Sequence, residues 1–352
     1  MPDAPLNIPD ALRELVAGDT LAEHAAEALF ESLLSGELDE AQIGAVLALI
    51  QARGPAVDEL VGAARAMRRH VTPVPVRVAR GEVLLDTCGT GGAAKTFNIS
   101  TAAAIVTAAA TPDPETGVAR ILVAKHGNRS RTGRGSAEVL AGLGVDIEAP
   151  PEVQAECLDE AGVCFSFAMR HHPAMRHAAG PRRSLGFPTI FNLLGPLTNP
   201  AGAGHQLLGV YRPELVEPIA HALARLGSAR AAVVHGAGGL DECSTLGPTE
   251  VAWVEGGRVR REEMESGRLG LPSARFEDLV VRDLDDGVRI VRAVLGGESG
   301  PARDTVILNA AAAILVAGAA RSLEDAGLRA ADAIDSGRAR ETLATLVACA
   351  GG

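Results

Sequence analysis

The chain predicts an α/β protein in two parts, a small all-helical N-terminal domain over 1–75 and a larger α/β domain with a mostly parallel central sheet over 76–149 and 181–352. Three observations predict this. The first seventy residues carry only helix-period apolar patterning. Thr72-Pro73-Val74-Pro75 then forms a stiff connection in which helix cannot continue. Beyond it, short apolar strands alternate with helices, the order expected of a parallel sheet with helical crossovers. With 352 residues, 47% of them hydrophobic and 22% charged, the composition is that of a packed globular protein and excludes disorder for most of the chain.

The elements follow in order. Thr20 and Glu23 have capping-box spacing ahead of an apolar run to Leu34. A helix from Asp39 to Arg53 stops at Gly54, and Val57 to His70 repeats the pattern. Val83–Asp86 reads as a strand, Ser100–Ala110 as a helix, Ile121–Ala124 as a strand and Ser136–Leu143 as a helix. The helical run Pro151–Gly162 interrupts the alternation, and 150–180 is expected to pack back on the N-terminal helices. Leu207–Tyr211, Ala231–His235 and Glu250–Val254 are further strands. The apolar stretches Ala102–Ala110 and Ala310–Ala320 fall short of the ~20 residues that cross a bilayer, so no membrane span is expected. Met1 to Asp10 lacks a basic region followed by an apolar core, which leads us to expect a cytoplasmic protein. Five cysteines without a CxxC pair point to reduced thiols rather than zinc or disulfides.

Charge directs attention to particular residues. The formal net charge is −11, and the 33 basic residues are 31 arginines and two lysines, Lys95 and Lys125. Asparagine is nearly as rare, with six: Asn7, Asn98, Asn128, Asn192, Asn199 and Asn309. A composition that replaces Lys and Asn wherever another residue serves makes the survivors informative. No acid lies between Glu160 and Glu214, a segment holding Arg170, Arg176, Arg182, Arg183 and Arg212. Gly89–Pro112 and Thr116–Ala137 are also acid-free. Such clearing suits a local positive field for an anionic small molecule, although burial alone also removes carboxylates. A negative chain without a basic block is a poor fit to duplex nucleic acid.

The chemistry is expected at loops that follow strands, because ligands of open α/β sheets bind beyond the carboxyl ends of the strands. Gly89-Thr90-Gly91-Gly92-Ala93-Ala94-Lys95-Thr96-Phe97-Asn98-Ile99-Ser100-Thr101 is a glycine-rich loop running into a helix. Glycines let backbone approach an anion, and a helix N-terminus offers unpaired N–H groups, so the segment has the form of a phosphate cradle; a plain turn is the alternative. It lacks GxxxxGK[ST] spacing, which argues against ordinary ATP hydrolysis. Lys125-His126-Gly127-Asn128-Arg129-Ser130-Arg131-Thr132-Gly133-Arg134-Gly135-Ser136 repeats the arrangement with the other lysine. Asp241-Glu242 places adjacent hard oxygen ligands suited to Mg²⁺ after another strand, or is simply surface charge.

Taken in order, GTGG at 89–92, TFNIST at 96–101, KHGNR at 125–129, HPAMRH at 172–177, TIFNLLGPLTNPAGA at 189–203 and Asp241-Glu242 resemble the anthranilate phosphoribosyltransferase family from about residue 10 to the C-terminal helices. The resemblance implies a nucleoside phosphorylase/phosphoribosyltransferase-like fold, dimerised through the helical domain. It also implies transfer of phosphoribosyl from phosphoribosyl pyrophosphate (PRPP) to the anthranilate amine with release of pyrophosphate, the second step of tryptophan synthesis from chorismate. Mg²⁺ is the implied cofactor, two per subunit unless the loop departures reduce the number.

Carried over by position, the resemblance assigns PRPP to Gly89, Gly92, Ala93, Lys95, Thr96, Asn98, Ile99, Ser100, Thr101, Lys125, His126, Gly127, Asn128, Arg129, Ser130, Arg131, Thr132, Gly133, Arg134 and Ser136. Gly89, Asn128 and Arg182 are assigned to anthranilate, with His126, His172 and Pro196 lining its tunnel, and Ser100, Asp241 and Glu242 to magnesium. Lys125, Asn128 and Arg182 are the implied catalytic residues. A pyrimidine nucleoside phosphorylase shares the architecture, but the 125–129 and 189–203 motifs disfavour it. A paralogue acting on another aromatic amine, or a silent binding homologue, would be the remaining alternatives. The chain departs from the family pattern where Ala93-Ala94-Lys95 replaces the usual aspartate after GTGG, where the second loop is about one residue short, and where Gly186-Phe187-Pro188-Thr189 lacks the usual arginine. Lys95 beside the missing aspartate suggests a compensated charge change that lowers dependence on the first magnesium.

Overall fold

The computed structural model describes residues 7–92, 96–112, 114–130 and 133–351. The helical layer begins with α1 (Ile8–Val16), α2 (Glu23–Ser35), α3 (Glu40–Arg53) and α4 (Val57–Arg69). α3 carries a capping box, with Asp39 Oδ1 accepting from Gln42 N at 2.8 Å and Gln42 Oε1 accepting from Asp39 N at 3.0 Å. The capping box expected at Thr20 and Glu23 does not form; α2 starts at Glu23, with Ala22 as its N-cap. The buried carboxylate of Glu59 overrides it, accepting from Leu21 N at 3.1 Å, Ala56 N at 2.8 Å and Arg53 Nη2 at 2.6 Å. A buried carboxylate needs several donors, and fixing Leu21 there sets the entry to α2.

The connection at 72–75 is extended and anchored, with Thr72 N donating to His171 O at 2.8 Å and Val74 N to Pro200 O at 3.1 Å. The second part follows, in chain order, with β1 (Glu82–Gly89), α5 (Ile99–Ala109), β2 (Arg120–Gly127), α6 (Ser136–Leu143), α7 (Pro151–Ala161), β3 (Val163–Phe167), α8 (Ala168–His171), α9 (Arg176–Leu185), α10 (Ile190–Leu194), β4 (His205–Gly209), α11 (Val216–Arg225), β5 (Arg230–Gly236), β6 (Thr249–Glu255), β7 (Arg258–Met264), α12 (Leu284–Leu295), α13 (Pro301–Val316), α14 (Leu323–Asp335) and α15 (Arg338–Cys349). The sheet order is β3-β2-β1-β4-β5-β6-β7. β1 to β5 pair in parallel, and β6 and β7 extend the sheet antiparallel. From β1 the chain moves to β2 on one side and later to β4 on the other, so β1 sits at the topological switch point where a crevice opens.

The segment 150–180 divides between the two parts instead of packing wholly on the N-terminal helices. α7 lies against β3 and α15, because its Cys157, Leu158 and Ala161 join the sheet core. α9 packs on α2 and α3, and α10 on α4. β3 and β7 were not expected from the sequence. β3 is five wholly buried residues directly after Gly162, too short and uniform to show alternation. β7 is a charge-dense edge strand entered through Gly256-Gly257, whose positive φ angles of 55° and 74° suit a tight hairpin.

The core lies in two bodies. One joins the face of the sheet under α5 and α13, where Ala102, Ala103, Ala104 and Ala310 to Ala313 let the two helices approach closely. The other joins the helical layer to the opposite face of β4 and β5 through Leu47, Leu60, Leu208, Ile219 and Val233. The site loops are thus carried by strands packed on both faces.

Candidate active site

Four strands end in glycine at one edge of the sheet, at Gly89, Gly127, Gly209 and Gly236. The reason lies in what crosses that edge. A Cβ on Gly89 would stand 2.6 Å from Asp241 Oδ2, and one on Gly209 or Gly236 would collide with the backbone carbonyl of Asp241 or Glu242. Only glycine lets the acidic pair lie directly on the strand ends. The pair is clamped from behind by buried Asn309, which accepts from Cys243 N at 2.8 Å and donates to Cys243 O at 2.8 Å.

The first loop is tied to the same place. Thr90 N donates to Gly209 O at 2.9 Å, Tyr211 N donates to Thr90 Oγ1 at 3.2 Å, and Gly91 N donates to Asp241 Oδ2 at 3.2 Å. α5 opens with no acidic residue in its first turn and no side-chain cap on Asn98. Ser100 N donates to Glu242 Oε1 at 3.1 Å, while the buried Thr101 Oγ1 has no hydrogen-bond partner. A hydroxyl without a partner among the described residues, at a helix N-terminus, is a ready donor to an anion's oxygen.

Lys125 ends the second approach. Its ammonium is buried, donating to Thr87 O at 2.6 Å and Ser100 Oγ at 3.1 Å. Burial lowers its pKa, and the charges of Asp86 and Glu242 work against that shift. Burial likewise raises Asp241, and raises Glu242 to about 8 with the charge of Asp241 adding to it. Two buried neighbouring carboxylates facing one ammonium lack positive charge. This donor set fits a divalent cation, which would lower both.

The second loop is pinned by Glu138 Oε2, which accepts from Gly135 N at 2.9 Å and Ser130 N at 3.3 Å. Gly127 has no room for a Cβ beside Ser136 Oγ and Phe165. Asn128 is exposed, with Oδ1 accepting from Arg129 N at 2.8 Å. Arg129 turns to Phe167, 5.6 Å from the ring centroid, and to Glu148 at 3.5 Å. Arg134 Nη1 donates to Val281 O at 2.8 Å and Arg282 O at 3.1 Å, while Asn98 Nδ2 donates to Arg134 O at 3.4 Å. Both arginines therefore brace the loop. Gly133 supplies a positive φ of 68° within it.

A third cluster involves the segment after α10. His126 Nδ1 donates to Gly195 O at 3.1 Å, leaving Nε2 as acceptor for His172 Nε2–H at 3.2 Å. Burial holds His126 well below the usual histidine range and lowers His172 to about 4, so both rings are neutral at pH 7. Arg182 lies over the Phe191 ring, 5.3 Å from its centroid, and makes no ion pair among the described residues. Burial lowers its pKa.

Of the residues singled out from sequence, Gly89, Ser100, Lys125, Asp241 and Glu242 converge through direct contacts, as do His126 and His172 with the Gly195-Pro196 turn, and Thr101 follows Ser100 in the first turn of α5. Gly92, with φ of 90°, continues the first loop beside Tyr211. Thr96 Oγ1 donates to Phe97 O at 3.1 Å, and Ile99 has its side chain in the core and its N–H donating to Phe97 O at 2.8 Å. Ala93, Lys95, Arg131 and Thr132 lie outside the described residues. Sequence reasoning missed Thr90, Gly209, Tyr211, Gly236 and Asn309. The recurring strand-terminal glycine was a usable signal for two of them.

Comparison with known proteins agrees with this arrangement. A model of the glycosyl transferase family helical bundle domain matches residues 9–71, and one of that family's a/b domain matches 81–340. Anthranilate phosphoribosyltransferase of Moorella thermoacetica is 48% identical over 339 residues, 96% of each chain; that of Methylobacterium radiotolerans is 49% identical over 338 residues, 96% of this chain and 94% of its own. The crystal structure of the Thermus thermophilus enzyme superposes with a TM-score of 0.88 at 40% identity, covering 97% of this chain and all of its own. The Saccharomyces cerevisiae enzyme in complex with PRPP and Mg gives 0.85 at 25% identity, covering 98% of both. With a buried acidic pair lying on glycine-ended strands and relatives alike over nearly their whole length, the chain belongs to the anthranilate phosphoribosyltransferase family.

Proposed function

We propose that the chain transfers the 5-phosphoribosyl group from PRPP to the amine of anthranilate, giving N-(5-phosphoribosyl)anthranilate and pyrophosphate, the second step of tryptophan synthesis from chorismate. The observation that carries this reading is the convergence of the Lys125 ammonium, the uncapped N-terminus of α5 and the buried Asp241-Glu242 pair on one edge of the sheet.

The bond from the anomeric carbon to pyrophosphate oxygen breaks, the pyrophosphate keeps the electron pair, and the anthranilate nitrogen forms the new bond before releasing its proton to solvent. Catalysis requires stabilisation of the polyanionic leaving group beside an oxocarbenium-like carbon, and alignment of the amine. Lys125 is already oriented, and the N-terminus of α5 with the Thr101 hydroxyl provides further donors. Gly89 and Gly92 allow the phosphates to reach backbone. Arg182 pairs with the anthranilate carboxylate, Asn128 orients the amine, and His126, His172 and Pro196 flank the ring as uncharged walls. An aniline-type nitrogen is neutral at pH 7, so no strong base is required.

Asp241 and Glu242 would hold Mg²⁺, and the Ser100 hydroxyl, beside Glu242 at the start of α5, would hold a second ion. Bound magnesium supplies positive charge to the departing pyrophosphate. We read the enzyme as a homodimer through the helical layer, where Val16 is 71% exposed, and as cytoplasmic, its five free thiols suiting a reducing compartment. Among the described residues no helix is long and apolar enough to cross a membrane. Pyrophosphate release from PRPP that depends strictly on added anthranilate supports the transfer. Release at the same rate without anthranilate, or none in its presence, would exclude it.

A further inference from the structure

An acid inside an apolar strand demands a reason, and Asp86 sits in Leu84-Leu85-Asp86-Thr87-Cys88 with its carboxylate wholly buried. In the β1–β4 ladder its direct neighbour is another buried polar residue, Gln206. Neither is assigned to a substrate in the transfer chemistry above, where Asp86 enters only through its charge near Lys125. Asp86 Oδ1 accepts from His126 N at 3.1 Å, and Oδ2 accepts from Gln206 Nε2 at 3.4 Å. The same Gln206 nitrogen donates to Pro196 O at 2.6 Å and lies 3.2 Å from Cys88 Sγ. The two hydrogens of that amide are thus committed, one to Pro196 and one between Asp86 and Cys88.

The contacts join the pieces that flank the acceptor. His126 stands at the end of β2 and Pro196 in the turn after α10, with no regular secondary structure linking them. The link is made by side chains: His126 Nδ1 to Gly195 O, Gln206 to Pro196 O, Asp86 to the His126 backbone, and Asn199 Nδ2 to Ala124 O at 2.8 Å. Burial favours the neutral acid at Asp86, and donors from Asn199 and the His126 backbone counter it. A buried polar network that is satisfied throughout fixes one arrangement of its members, and loss of one member leaves others unpaired.

We infer that Asp86 and Gln206 are positioning residues for anthranilate: together they hold the His126 backbone and the Pro196 carbonyl at a fixed separation and so set the acceptor slot, without contact to either substrate. The inference rests on the proposed transfer reaction. It separates the pair from the phosphate site, whose groups lie on α5, Lys125 and the acidic pair.

The test is steady-state kinetics of the intact enzyme with both substrates varied, for wild type and Gln206→Met, which keeps the bulk and removes the donor. The anthranilate KM is expected to rise about tenfold or more, with the PRPP KM held within about twofold. Gln206→Glu is expected to do worse, because it cannot donate to Pro196 and sets a second carboxylate against Asp86. Should Gln206→Met fail to fold, Gln206→Asn takes its place; it keeps an amide but shortens its reach to Pro196 O, leaves the Asp86 charge beside Lys125 in place, and should give the same split. Parallel rises in both KM values, or no change in either, would overturn the inference. Wild type that binds PRPP yet does not consume anthranilate would remove the transfer reading and this inference with it.

Discussion

Gly209→Ala is the substitution whose consequence the geometry states most directly. The added Cβ would stand 1.6 Å from the Asp241 carbonyl oxygen, where ordinary contact begins at 3.4 Å, so the backbone at Asp241 would have to retreat by about 1.8 Å. It cannot relax freely, because Asn309 grips Cys243 two residues on. Misplacement of catalytic groups by about 1 Å can cost on the order of 100-fold, and overpacking of this kind typically costs about 1–3 kcal/mol of stability. We therefore expect kcat/KM for PRPP to fall roughly 100-fold and half-saturation by Mg²⁺ to move to higher concentration. The assay is continuous loss of anthranilate fluorescence across a magnesium titration, with thermal unfolding to show that the variant is folded. Gly204→Ala, where a Cβ would meet nothing within 4 Å, is the control and should behave as wild type. A folded Gly209→Ala enzyme with unchanged kcat/KM would refute the claim that the acidic pair must lie on the strand ends.

Arg182→Ala should raise the anthranilate KM by about tenfold or more and leave the PRPP KM nearly unchanged; equal effects on both would contradict its assignment to the acceptor carboxylate. His172, lowered from 6.5 to about 4 by burial, contributes stability that is complete above pH 6.5 and lost as pH falls toward 4. Urea unfolding of wild type should therefore lose about 2 kcal/mol more than His172→Gln between pH 7 and pH 5, and identical losses would show that the ring does not titrate as described. Lys95→Ala, argued from the sequence alone, should make turnover more dependent on Mg²⁺; an unchanged titration curve would end that idea.

How much was legible depended on whether a residue's reason was local. The helix from Asp39, its stop at Gly54 and the alternation after Pro75 are governed by near neighbours in the chain, and the structure has them where the sequence puts them. Among the lysine and asparagine survivors, Lys125 marked the end of β2 and Asn98 the start of α5, two elements that meet beside the acidic pair. Glu59 was not legible as the residue that sets the start of α2, since its partners lie up to 38 positions away. Asp86 read only as part of a strand, and its meaning needed Gln206 beside it in the ladder. Arg129 and Arg134 were assigned to PRPP because they match positions of the family's motifs. Their side chains are occupied by Phe167 and Glu148 and by the carbonyls at 281 and 282, distant contacts that charge counting cannot reveal.

The central claim is the transfer itself, and one measurement meets it directly. Anthranilate fluorescence is followed after addition of enzyme, PRPP and Mg²⁺, with each omitted in turn. The account requires loss of fluorescence that depends on all three and is abolished in Lys125→Ala. Steady fluorescence from wild-type enzyme that still binds PRPP would contradict it.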